Sequence, residues 1–215
     1  MVVEMMRTIR RRSGMLAAAA ATLACGLAAN AALLTPGNAL FPAPGEPDPV
    51  GGTVIANQTI PFNVPGFFDG SLTSTVLRGG NNPFGANALT FTYRIVNAAS
   101  SPNAIARMTV DPFTGFSTDA SFQTPSVGVN PALIDRNTAD TMGFSFSQQI
   151  GPGALLPGSN SAVLVVQTNA TDFQNALANI IDSGAISVLS FAPVPEPTMI
   201  GLAGVGALAL IRRRR

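Results

Sequence analysis

Residues 89–95 read LTFTYRI. Leu89, Phe91, Tyr93 and Ile95 alternate with Thr90, Thr92 and Arg94. In an extended chain that alternation puts the apolar side chains on one face and the polar ones on the other, whereas a helix would scatter them round its axis. The stretch predicts a strand lying on a core. The same two-residue period recurs on both sides of it. Ile60, Phe62 and Val64 alternate with Pro61 and Asn63, and residues 72–77 (LTSTVL) are β-branched and half polar. Ala104, Ala106, Met108 and Val110 share a face, with Ile105, Arg107 and Thr109 opposite. Phe144 and Phe146 alternate with Gly143, Ser145 and Ser147. Val163 to Val166 is a continuous apolar run, as expected of a central strand, and residues 186–191 close the set. Turn formers separate these runs at Asp69-Gly70, Gly79 to Pro83, Ser101-Pro102-Asn103, Asp111-Pro112 and Gly151-Pro152-Gly153. Many short strands with such turns predict an all-β domain, a single antiparallel β-sandwich of jelly-roll or immunoglobulin-like type.

One segment breaks the period. Phe173, Ala176, Leu177, Ile180 and Ile181 fall at helical spacing, Thr171 and Gln174 make a capping box, and Gly184 makes a stop. A short helix over 172–182 is expected, packed on one edge of the sandwich, with a β-excursion as the alternative.

The ends of the chain differ from its middle. Arg7, Arg10, Arg11 and Arg12 precede an apolar run from Met15 to Ala29, and Ala29-Asn30-Ala31 has the small-x-small pattern of a cleavage site. Residues 1–31 are therefore predicted to be a signal peptide, with an N-terminal signal helix, the Sec translocon as partner and cleavage after Ala31. Twin-arginine export is disfavoured because Ser13-Gly14 follows Arg11-Arg12, and a lipobox at Cys25 because Thr22 stands where leucine belongs. Residues 32–50 hold five prolines and are expected to be an extended, poorly ordered linker. The sandwich is expected over 51–192.

Residues 193–215 begin with Pro193-Val194-Pro195-Glu196-Pro197, continue through an uncharged apolar run to Ile211 and end with Arg212, Arg213, Arg214 and Arg215. The prolines hold the backbone extended and leave Glu196 exposed between two stiff residues. A helix of about 14 residues rises roughly 21 Å, against a hydrocarbon core of about 30 Å, so the predicted transmembrane helix is a marginal span. The arginines would hold it at the headgroups on the cytoplasmic side of the inner membrane.

This tail resembles the PEP-CTERM sorting signal of Gram-negative bacteria, on the strength of Val194-Pro195-Glu196-Pro197, the short apolar helix and the basic end. The resemblance implies recognition by an exosortase, removal of the tail and a destination at the cell surface or in the extracellular matrix. Residues 70–97 (GSLTSTVLRGGNNPFGANALTFTYRIVN) and 154–173 (ALLPGSNSAVLVVQTNATDF) resemble secreted PEP-CTERM ectodomains of planctomycete type, a resemblance that implies class and destination only.

Composition excludes more than it assigns. Eight of the 12 basic residues lie in the two targeting segments. Residues 32–197 keep Arg78, Arg94, Arg107 and Arg136 against ten acids, a net charge of −6. Such a domain lacks the basic face that nucleic acid requires. The chain has no histidine, and its one cysteine, Cys25, lies in the predicted signal peptide. Ser-His-Asp and Cys-His catalysis, the usual zinc sites and a disulfide in the exported part are excluded. No cofactor and no enzymatic activity are expected. Asp69, Asp111, Asp119, Asp135 and Asp140 stand singly beside turn formers, so turn and cap roles outweigh calcium or acid catalysis. Phe67, Phe84, Phe91, Phe144 and Phe146 are expected in the core. Phe67-Phe68 beside Pro65-Gly66 could otherwise form an exposed patch. Asn57-Gln58-Thr59 and Asn169-Ala170-Thr171 match the glycosylation sequon by chance. The expected function is a non-enzymatic structural or interaction role at the surface, the alternative a module that binds an extracellular glycan such as an exopolysaccharide.

Overall fold

The computed structural model describes residues 32–146 and 153–194. They form two six-stranded sheets around one hydrophobic core. One sheet runs in the order β2 (Gly45–Glu46), β7 (Thr118–Gln123), β10 (Leu164–Thr168), β5 (Leu89–Asn97), β4 (Phe68–Arg78), β3 (Thr53–Val64). The other runs β1 (Asn38–Leu40), β8 (Leu133–Arg136), β9 (Met142–Ser145), β6 (Arg107–Asp111), β11 (Phe173–Ile181), β12 (Ala185–Pro193). All neighbours within the sheets are antiparallel except β2 and β7.

Most of the period-two strands lie where the sequence puts them, but the strand read from Ala104 begins at Arg107, and Ile105, read as facing away from Met108 and Val110, is buried in the same core. Leu89, Phe91, Tyr93 and Ile95 face the core from β5, and Met108 and Val110 face it from β6. β10 sits between β7 and β5 and is buried along its length, as its unbroken apolar run predicts. The edge-on ring pair Phe91–Phe113 has its centroids 5.9 Å apart, and the Tyr93 hydroxyl on β5 donates to the Phe191 carbonyl on β12 at 2.7 Å, so one buried bond joins the two sheets.

Four expectations are corrected. Residues 172–182 form no helix: Phe173–Ile181 is strand β11, paired with β12 along its whole length and with β6 along half of it. A lone helix of about 11 residues is marginal in water, whereas a strand between two neighbours has its backbone groups satisfied on both sides. The period follows suit: Ala178 and Ile180 are buried while Leu177 is 47 % exposed. Gly184, read as a helix stop, closes the turn of the β11–β12 hairpin, where Asp182 N donates to Gly184 O at 2.9 Å.

Residues 32–50 are not a loose linker. They supply β1 and β2, and Leu34 enters the core. Their prolines punctuate short pairings along the sheet edges, where a missing amide costs least. Asp69-Gly70 is not a turn but lies inside β4; the turn before it is Pro65-Gly66-Phe67, closed by Phe67 N to Val64 O at 2.9 Å. Of the phenylalanines expected in the core, Phe91, Phe144 and Phe146 are fully buried, Phe84 is half-buried and Phe67 is exposed. Of the turn at 151–153, only Gly153 is among the described residues.

Candidate acidic cleft and C-terminal tail

Among the described residues, β7 explains a cluster of unusual chemistry. Ala120 and Phe122 face the core, so Asp119 and Ser121 face away from it, as does Gln167, opposite Asp119 on β10. That outer face would be wet if residues 32–50 hung free. Instead Ala32–Leu34 pair along its edge and the residues after β2 lie against it, with Asp119 2 % and Gln167 1 % exposed. Pro47, Asp48, Val50, Asn81, Pro83, Asp119 and Gln167 line a cleft of about 400 Å³.

The walls are locked from both sides. Asn81 donates from its side-chain nitrogen to Asp48, accepts from Val50 N at 2.8 Å through its side-chain oxygen, and donates its backbone amide to Val50 O at 3.0 Å. Gly80 makes the close approach possible: its φ is +71°, and a Cβ there would stand 2.6 Å from Val50 O. Next to Asn81, the buried Asn82 amide donates to the Leu89 carbonyl and the Thr90 hydroxyl, both at 3.1 Å.

Three acids meet here. Glu46 and Asp48 share a hydrogen bond, and the charge of Asp119 acts on Glu46. Burial, then the Asp119 charge, then the Asp48 hydrogen bond and charge push Glu46 up to about 8. The shift favours the protonated form of Glu46 at neutral pH, whose O–H can donate to Asp48. Asp48 is raised by burial, against the lowering effect of the Glu46 bond. Asp119 is raised to about 6 by burial, with the Ala32 amide lowering it and Asp48 raising it. Glu46 Oε2 and Gln167 Nε2 are buried without a hydrogen-bond partner. Among the described residues no group of three or more acids, histidines or cysteines has the arrangement of a metal site.

The remaining aspartates separate by role. Asp135 forms a bidentate pair with Arg107, at 2.7 and 2.8 Å. Asp140 sits in a left-handed turn, φ 63°, and pairs with Arg136 at 2.7 Å. Asp69 accepts from the Ser100 hydroxyl at 2.8 Å, and Asp111 ends β6. Asp69, Asp119 and Asp135 depart from the turn role, since each lies within a strand, and of these Asp119 alone is buried. Its signal was faint: in residues 118–123 (TDASFQ) the faces alternate small and polar against small and aromatic.

At the C-terminus, β12 ends at Pro193, and Val194 N donates to Asp172 O at 3.2 Å. Val194 is the one sorting-motif residue among those described. Pro195, Glu196, Pro197, the apolar run, Arg212 to Arg215, and Ala29 and Ala31 of the predicted cleavage site lie outside them. Among the described residues no helix is long and apolar enough to cross a membrane.

Residues 193–215 match the model of the PEP-CTERM protein-sorting motif. The match supports an exported protein that an exosortase processes at its C-terminus, with a transient membrane anchor and then a surface or extracellular location. It spans the tail alone. No curated protein and no solved structure matches the chain.

Proposed function

We propose that the protein is a non-enzymatic surface or matrix component, exported through the Sec translocon, held briefly in the inner membrane by residues 198–211, and released by cleavage near Pro195-Glu196-Pro197. The sorting motif at 193–215 carries this reading. β12 is paired with β11 as far as Pro193, so the described fold reaches the border of the motif. We take the two sheets as a jelly-roll or immunoglobulin-like sandwich, which the repeated crossing from sheet to sheet between β5, β6, β7 and β8 supports. The structural role rests on the absence of histidine and of any cysteine in the exported part, on the acidic balance, and on polar ladders such as Thr59–Thr73 and Asn57–Thr75 along the exposed β3–β4 face.

Glu196→Ala, or deletion of Arg212 to Arg215, is expected to leave the protein cell-associated. Unchanged release into the medium would overturn the sorting reading. The second reading, a module for an extracellular glycan, draws on the acidic cleft. Asp48, Asn81 and the unpartnered Gln167 amide offer acceptors and a donor for sugar hydroxyls. Retention on polysaccharide beads that is lost in Gln167→Leu would favour it.

A further inference from the structure

Ala32, the first residue after the predicted cleavage, is already built into the fold. Its amide nitrogen donates to Asp119 Oδ1 at 2.8 Å, and its carbonyl accepts from Ala120 N at 3.3 Å. Leu33 bridges antiparallel to Asp119, Leu34 N donates to Thr118 O at 2.9 Å, and the Leu34 side chain is in the core. Residues 32–34 thus run along the free margin of β7, with the nitrogen of residue 32 held against a buried carboxyl group.

That carboxyl group has no cationic partner among the described residues. Arg107 is committed to Asp135 and Arg136 to Asp140. Arg136 also reaches the Thr118 hydroxyl and the Leu34 carbonyl, on the far side of the same segment, but not Asp119. Arg78 donates to the carbonyls of Asn87 and Thr171, and Arg94 is exposed. The titratable groups that face Asp119 are Asp48 and Glu46, both acids. A buried carboxylate that faces two acids and one neutral amide is one positive charge short. Cleavage of the signal peptide supplies that charge at the required atom. Water adds across the Ala31–Ala32 amide, Ala31 leaves with the carboxylate, and Ala32 keeps the nitrogen, which takes up a proton to become an ammonium with three donors.

We propose that removal of the signal peptide after Ala31 creates an ammonium at Ala32 that docks on Asp119, so that processing completes the N-terminal edge of the domain and makes the mature protein tighter than its precursor. The mature N-terminus is then a ligand of the acidic cleft supplied by the chain itself. It neutralises Asp119, removes one repulsion from Glu46 and Asp48, and clamps residues 32–34 to β7. Before the cut, the same position holds only an amide, and the segment that pairs along the edge of β7 is held less firmly while the chain is in transit. The inference rests on cleavage after Ala31, and its test separates the two.

The chain has no lysine, so in the mature protein an amine-reactive acylating reagent has one target, the α-amine. Mature protein recovered from the medium is first sequenced from its N-terminus; a start other than Ala32 overturns the cleavage reading and the docking with it. With Ala32 as the start, native protein is expected to label at least about tenfold more slowly than the urea-unfolded chain, with an amine pKa raised at least about one unit above its ordinary value near 8. Asp119→Asn is expected to restore fast labelling and an ordinary pKa. Labelling of the native protein at the unfolded rate, or slow labelling with an ordinary amine pKa, overturns the docking while leaving the cleavage reading in place. If Asp119→Asn yields no folded protein, the rate and pH profile of the unsubstituted protein decide alone.

Discussion

The hydroxyl of Tyr93 is fully buried and holds the Phe191 carbonyl across the core, so its oxygen joins the two sheets with no water to replace it. Tyr93→Phe leaves that carbonyl unpaired, and a loss of about 1–3 kcal/mol in denaturant unfolding is expected. Arg136 is a second buried tie. Its guanidinium pairs with Asp140 and donates to the carbonyls of Phe113 at 2.8 Å and Phe116 at 2.9 Å. Arg136→Leu strands Asp140 and these carbonyls together, and about 3–5 kcal/mol should be lost. Glu46 sets a pH dependence. Its folded pKa of about 8 stands above its ordinary value, so the folded state binds the extra proton. The stability this contributes is fully present below the ordinary carboxylate range and is lost as pH rises through about 8. The melting temperature should therefore be higher at pH 5.5 than at pH 8.5, by on the order of 5 °C, and Glu46→Gln should flatten that slope; an unchanged slope would remove Glu46 as its source. None of these roles was legible in the residues alone. A tyrosine in a strand, an arginine four positions before an aspartate and a glutamate between glycine and proline have ordinary local meanings, and their roles come from partners up to 102 positions away.

Among the elements, β11 shows how far periodicity reaches. Over nine residues, Phe173, Ala176, Leu177, Ile180 and Ile181 satisfy a helical template, but their apolar count is also what a strand between two others contains. Tertiary pairing with β6 and β12 decides the matter, and the two conformations bury different residues. A helix would bury Leu177 and expose Ala178; the strand leaves Leu177 half exposed and Ala178 with no exposure. Leu177→Asp is expected to cost under about 1 kcal/mol and Ala178→Asp roughly 3 kcal/mol or more, as a buried unpaired charge. The reverse order would restore the helix. β5 and β10 were legible because apolar alternation and an unbroken apolar run have one economical structure each. β1, β2 and β7 were not, because their cohesion comes from backbone pairing and buried hydroxyls, with Thr118 donating to the Leu34 carbonyl at 2.7 Å. The Pro-rich composition of residues 32–50 suggested disorder, yet proline removes only its own amide, and the residues between prolines pair along both sheets. The acidic cleft was hidden with them, since it exists only because that segment folds back over β7.

At the scale of the whole molecule, the described all-β domain runs up to a sorting motif at residues 193–215. Its destination was legible at once, because sorting signals are read as linear sequence and carry their chemistry in order. Its occupation was not, since a cleft made from residues 46–50, 80–83, 119 and 167 has no linear form. The border at Pro193-Val194 joins the two scales: the last paired strand ends where the sorting motif begins. Both ends of the mature protein would then be made by proteolysis at the margins of the sandwich, after Ala31 and near Glu196. Intact mass spectrometry of the protein from the medium and from the membrane fraction tests this most directly. The account predicts a secreted species that starts at Ala32 and ends between about residues 194 and 198. A membrane species that still ends at Arg215, with nothing in the medium, would contradict it.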